Sequence, residues 1–397
     1  MAPFTQLLLQ SIVTTLLTAS VAAQVVDLPS PAPVGSAQPN LVVTSDGHAL
    51  LSWVEQVTGG HRLRFATLAG SAWSKPKTVA EGKNWFVNWA DFPSLVALPS
   101  GRLAAHWLVK SAEGTYDYDV HLAQSLDAGK TWSDALTPHR DGVKAEHGFV
   151  SLLPAKDDAV SVVWLDGREM KATDGHGHGP GAMTLRYAEV AADGTIRNAA
   201  QLDPRVCECC QPSSALGPDG PIVVYRDRSH DEVRDIAITR FVAGSWSKPE
   251  AVCRDQWKVA GCPVNGPSIA SASAHVVVAW FTGADGKSQV KLARSQDGGA
   301  SFADAIAIDR GNPVGRVDVI VQTNGTAWVC WLTHADDGGE VRVRSVDLAG
   351  KTTKAVTIAA MKTGRRSGFP RMVEFDGKLL IAYRDGGVKT VTMTLPE

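Results

Sequence analysis

The sequence has almost no surplus charge. Lys and Arg number 39 and Asp and Glu 41, giving a net charge of −2 over 397 residues. No basic stripe stands out, which excludes the electrostatic footprint of a nucleic-acid binder. Strongly periodic helical segments are also missing, which argues against bundles and coiled coils. Beyond the N-terminus no stretch is apolar for long enough to span a membrane. Lys and Arg are absent before Arg62, and the segment "MAPFTQLLLQSIVTTLLTASVAAQ" is apolar or small from residue 7 to 22. Val21-Ala22-Ala23 has the form of a cleavage site, so residues 1–23 are expected to be a signal peptide. The alternative is an uncleaved anchor. The mature chain, 24–397, is expected to be exported to the periplasm or outside the cell, with no membrane span, as a monomer.

What is abundant is turn and strand material: 37 Gly, 21 Pro and 12 Trp. The chain also repeats itself. "PNLVVTSDGHALLSWVE" at 39, "PSLVALPSGRLAAHWLV" at 93 and "PSSALGPDGPIVVYRDR" at 212 share one plan. Each is an alternating strand, a polar turn and a second strand ending near an aromatic residue. Similar openings begin at 149, 267, 317 and 370. A blade-length period of this kind predicts an all-β propeller of four-stranded blades. Seven blades are favoured, and six with one irregular unit is the alternative. The last unit has only three strands, and "VVDLPSPAP" at 25–33 is expected to supply its fourth and close the ring.

Two third-to-fourth-strand linkers, "SLDAGKTW" and "SQDGGASF", follow the pattern Ser-x-Asp-x-Gly-x-Thr/Ser-aromatic. The Asp accepts backbone N–H groups, the Gly takes positive φ and the aromatic fills the gap between strands. These turns resemble the Asp-box, or BNR, repeats of the sialidase-like β-propellers. The resemblance implies a structural role for the box on the face away from the active site. It also implies glycan chemistry through three arginines, a Tyr nucleophile assisted by Glu, and an Asp acid/base. The chain departs from that pattern: the Arg-Ile-Pro-type stretch is replaced by "SAQPNLVV". It is therefore a divergent relative, either a glycoside hydrolase or a carbohydrate binder.

In a blade, loops before strand one and between strands two and three share a face. That face gathers Trp89, Asp91, Glu146, His147, Arg316, Arg365 and the Arg-rich "YRDRSHDEVRD". Candidate catalytic or anion-binding residues are Asp91, Arg168, Tyr225, Arg226, Arg228 and Arg316, for an acidic glycan or another small anionic ligand. The bland reading of the Arg-Asp run is a salt-bridge network.

Cysteine is scarce, with six in all, yet "RVCECCQPSS" holds three. Cys207, Cys209 and Cys210 lead into the fourth unit, and Cys262 leads into the fifth. His176, His178 and Met183 belong to a loop of the third. Thiolates with imidazoles suit copper(I) or zinc. Disulfides, for example Cys207 or Cys209 with Cys262, are the competing reading, and thiol redox chemistry is a third. Cys330 is expected to be a buried core thiol. A protein-interaction platform without metal or catalysis is the remaining alternative.

Overall fold

The structure is a computed structural model that describes residues 24–170 and 181–395. It is an all-β propeller of seven blades. In blade 1 the first three strands are Ala37–Val43, Ala49–Val57 and Gly60–Ala69, and Lys77–Gly82 is the outer one. Blade 2 (Ser94–Ala97, Leu103–Lys110, Tyr118–Ser125) replaces a regular fourth strand with a single bridge, Leu122 to Leu136. Blades 3 to 7 start with His147–Pro154, Ser213–Leu216, Ser268–Ala272, Pro313–Val321 and Arg371–Phe375. The first strands touch in an unbroken cycle around the channel.

Apolar residues on the second and third strands explain how the ring holds. A blade is a twisted sheet buried on both faces, so its central strands read as apolar runs such as "AHVVVAWF". The seven hydrophobic clusters each lie between two adjacent blades, from blades 1 and 2 round to blades 7 and 1. The aromatics that mark the repeats, Trp53, Trp107, Trp164, Tyr225, Trp280, Trp331 and Tyr383, occupy one equivalent place in the seven second strands. Three reach an Asp at or just beyond the end of the preceding blade's outer strand: Tyr225 to Asp203 at 2.6 Å, Trp280 to Asp255 at 2.7 Å and Trp331 to Asp309 at 2.6 Å. A buried polar tip needs such a partner, so these pairs fasten blade to blade.

Ring closure follows the sequence expectation. Val25–Leu28 pairs antiparallel with Val388–Thr394, with Val25 opposite Met393 and Leu28 opposite Thr390. Removing residues 24–28 deletes that ladder and bares the edge of the last blade. With each backbone hydrogen bond worth about 1 kcal/mol, a loss of about 2–4 kcal/mol is expected. An unchanged denaturation midpoint would show that the strand closes nothing.

The two Asp-box turns have the expected geometry. Asp127 accepts the Thr131 N–H at 2.9 Å and its hydroxyl at 2.7 Å, and Gly129 has φ 77°. Trp132 meets Phe65 of blade 1 edge-on. Asp297 accepts the same pair of bonds from Ser301. Among the described residues no helix is long and apolar enough to cross a membrane. The expected signal peptide, 1–23, lies outside the described residues, as do His176 and His178.

Candidate functional site

The face opposite the Asp boxes carries a pocket of about 390 Å³ at the channel mouth. Its walls come from the loops entering blades 2 to 5 and blade 7, and they include Trp89, Tyr116, Glu146, Glu208, Cys209, Cys262 and Arg365. Behind the wall is a chain of three polar groups. Asp91 is fully buried, and its Oδ1 accepts the Phe149 N–H at 2.7 Å. The Tyr118 hydroxyl is 2.7 Å from Asp91 Oδ2 and 2.9 Å from Glu146 Oε1. A phenol has one proton and donates once. With Tyr118 donating to Asp91, the contact to Glu146 requires a proton on the Glu146 carboxyl. Asp91 already accepts the Phe149 N–H, and burial raises Glu146 further than Asp91, so the shared proton is assigned to Glu146 and the order runs Glu146 to Tyr118 to Asp91. Burial pushes the Glu146 carboxyl up to about 8, with the Asp91 charge adding to it and the Tyr118 bond opposing. Burial likewise raises Asp91, to about 7, against the bonds from Tyr118 and Phe149.

Local backbone makes this arrangement fit. Phe149 sits at φ 52° in a bulge of the first strand of blade 3. Gln38 and Arg316 repeat that conformation in the bulged first strands of blades 1 and 6. Repetition marks it as a device of the blade rather than strain peculiar to one site. At Gly148 a Cβ would stand 2.1 Å from Asp91 Oδ2 and 2.6 Å from the Tyr118 ring, so only glycine admits both groups.

Several residues singled out from the sequence do other work. Arg226 is buried, and its guanidinium donates to the carbonyls of Asn265, Arg234 and Phe281 at 2.6–2.9 Å while stacking on Trp257. It fastens blade 4 to blade 5 and has no fork left for an anion. Tyr225 is likewise a buried fastener bonded to Asp203, so it is not positioned as a nucleophile. Arg228 is clasped by Glu208 and Glu232, the salt-bridge reading of that run. Arg168 is held by Asp166 at 2.6 Å and Asp141 at 2.9 Å, which neutralise it. Asp91 lies behind Tyr118 and acts on the pocket only through it. Met183 is buried in the core between blades 3 and 4, away from any ligand role.

Arg316 is buried beside Trp89 and does not line the pocket. It stacks on Trp89 at 4.5 Å, and only its Nη1 is bonded, to the carbonyls of Gly364 and Gly368. Among the described residues it has no carboxylate partner. Burial lowers its pKa to about 10, so it stays charged at neutral pH. The exposed Arg365 on the pocket wall also lacks a carboxylate partner among the described residues.

The cysteines converge. Cys207 Sγ is 3.1 Å from Cys210 Sγ and 3.9 Å from Cys209 Sγ, and all three sulfurs lie within 4.8 Å of one another. Cys207 and Cys210 are buried, while Cys209 and Cys262 line the pocket. Arg234, buried and paired with Glu208, donates to Cys207 Sγ at 3.3 Å. Burial pushes the Cys207 thiol up, but contacts with Cys209 and Cys210 and the Arg234 charge outweigh it and hold it well below the usual thiol range. Contact with Cys209 lowers Cys262 as well. All six cysteines are unpaired thiols. Cys330 is buried between blades 6 and 7, and Cys253 sits apart beside Asp255.

A second polar cluster was not legible from sequence. His139 and His147 stack at 3.9 Å with planes 7° apart. His147 lies between Asp119 at 3.3 Å and Asp141 at 3.5 Å. Burial works against its charge, but these carboxylates and Asp166 outweigh that and raise its pKa. Burial and the charge of His147 lower His139 to about 4. A metal lies in the plane of a ligating imidazole, so two parallel rings 3.9 Å apart do not share an ion. The pair is a buttress joining blades 2 and 3, and His147 shares Asp141 and Asp166 with Arg168.

No family model and no curated protein matches the sequence. Solved structures share the fold. The polysaccharide lyase Uly1 superposes with a TM-score of 0.53 at 9% identity, covering 95% of this chain and 94% of that one. A protein of unknown function from Dyadobacter fermentans gives 0.50 at 15%, covering 95% and 99%. A Hadza microbial sialidase gives 0.50 at 13%, covering 84% and 73%. At such identities the likeness shows a sialidase-like propeller fold and nothing finer.

Proposed function

We propose that this protein is an exported, glycan-directed propeller that binds an acidic sugar at the channel mouth and protonates its glycosidic oxygen from Glu146. The observation that carries the reading is the hydrogen-bond chain from Glu146 through Tyr118 to Asp91. One phenol between two carboxyls leaves a proton on one of them, and with Asp91 accepting from Phe149 we put it on the pocket-lining Glu146, where a general acid needs it at neutral pH. Glu208, a carboxylate paired with Arg228 and Arg234, lines the same pocket. With its charge balanced by two guanidiniums, it is a fixed wall of the pocket beside Glu146.

Recognition follows from the other walls. Trp89 and Tyr116 offer aromatic faces to sugar rings, and Arg365 offers an unneutralised fork to a carboxylate or sulfate. Two of the fold neighbours are by name a sialidase and a polysaccharide lyase, which supports the glycan class. The Tyr nucleophile of the sialidases is not carried over, because Tyr118 is buried with its hydroxyl engaged.

The test is a panel of sialylated, uronate-containing and sulfated polysaccharides. Release of sugar from at least one acidic class is expected, with Arg365→Ala raising KM by about tenfold or more through the lost charge-assisted hydrogen bonds. Neither binding nor release across the panel would end the reading.

A further inference from the structure

We propose that Cys207, Cys209 and Cys210, joined by Cys262 from the neighbouring loop, form a thiolate site for a soft d¹⁰ cation, Zn²⁺ or Cu⁺. The spacing of the sulfurs is the first argument. A tetrahedral site with metal–sulfur bonds of about 2.3 Å sets its sulfurs about 3.8 Å apart. The Cys207–Cys209 separation, 3.9 Å, matches that edge, the Cys207–Cys210 separation, 3.1 Å, is tighter, and all three sulfurs lie within 4.8 Å of one another. They are wider than the covalent distance of about 2.05 Å in a disulfide.

The surroundings are the second argument. A metal bound by three or four thiolates carries net negative charge, which is costly to bury without a nearby cation. Arg234 supplies one. It is 1% exposed, donates to Cys207 Sγ at 3.3 Å and is fixed from the other side by Glu208 and Glu232. A ligand sulfur held by a buried, oriented donor is the usual outer support of a metal site. Access is the third argument. Cys209 and Cys262 face the channel-mouth pocket, so an ion can enter there, while Cys207 and Cys210 form the buried floor. Binding replaces thiol protons by metal, one for each thiol ionised, so affinity rises with pH.

This inference stands apart from the glycan reading, since a metal site with no sugar turnover, or turnover with no metal, separates the two. The experiment uses the full reduced chain, titrated anaerobically with Zn²⁺ alone and with Cu⁺ alone. Co²⁺ is the spectroscopic stand-in. One equivalent of Zn²⁺ or Cu⁺ is expected, with thiolate-to-cobalt charge-transfer absorption. Cys209→Ser is expected to weaken binding by about 100-fold or more. Cys262→Ser, at an exposed position that does not threaten the fold, is expected to weaken it by at least about tenfold. Cys253→Ser is expected to bind as the parent does. The proposal is overturned by a reduced chain that takes up neither ion, by affinity unchanged in both Cys209→Ser and Cys262→Ser, or by disulfides joining these four cysteines in the natively purified chain.

Discussion

Replacing Arg226 with Met is expected to destabilise the propeller by about 3–5 kcal/mol, from three buried carbonyls left without a donor at about 1–3 kcal/mol each, less the relief of removing a buried charge. Met preserves length and apolar bulk but offers no donors. The carbonyls of Asn265, Arg234 and Phe281 would lose the forked donor that now joins blade 4 to blade 5. The stacking on Trp257 at 4.9 Å would go too. Arg226→Lys keeps the charge as a point donor and is expected to recover only part of the loss, because it cannot reach three carbonyls at once. Urea unfolding of the three chains at one pH measures this. A variant of unchanged midpoint that loses ligand binding would make Arg226 a ligand contact and overturn the fastening role.

Glu146→Gln is expected to cut glycan turnover by about 10²–10⁴-fold, the span of general acid catalysis. The amide can still donate to the Tyr118 hydroxyl, so the hydrogen-bond chain and the fold persist without a transferable proton. The stability profile gives a second readout. The Glu146 carboxyl is raised from 4.5 to about 8, so the folded chain holds a proton that the unfolded chain releases. Stability from this group is therefore present below pH 4.5 and is lost as pH rises towards 8. In Glu146→Gln that decline is expected to flatten, leaving the smaller one that Asp91, raised to about 7, produces. Denaturant midpoints at acidic and alkaline pH compare the two chains. A variant with wild-type turnover would remove Glu146 as the acid, and an unchanged pH profile would place its proton elsewhere.

The sites show how reading from sequence divides. The cysteines were legible because three thiols in four positions are rare in an otherwise cysteine-poor chain, and blade adjacency brought Cys262 beside them. For Arg228 the salt-bridge reading of the run holds, whereas the anion-binding reading of Arg168 and Arg226 does not fit their partners. Chemistry-bearing type and loop position placed Arg168, Arg226 and Arg228 on one face. Nothing in their spacing told that carbonyls and carboxylates already consume their donors. Tyr225 had a clue that was available: it stands where five other repeats place Trp, and a position shared by every blade belongs to the scaffold. Tyr118 gave no such signal, since it opens a third strand whose neighbours in sequence are ordinary.

By itself the sequence determined the seven repeats, the four-stranded blade, the closing N-terminal strand and the geometry of the two Ser-x-Asp-x-Gly turns. These rest on period, alternation and turn chemistry, which are local properties of the chain. Only the tertiary structure decided which of the reactive residues keep unsatisfied chemistry. Asp91 meets Phe149 across 58 residues, and Tyr118 meets Glu146 across 28. Arg226 is consumed by a carbonyl 55 residues away. Charge, protonation and donor saturation depend on which atoms lie within about 3 Å in space, and in a propeller those atoms come from the neighbouring blade.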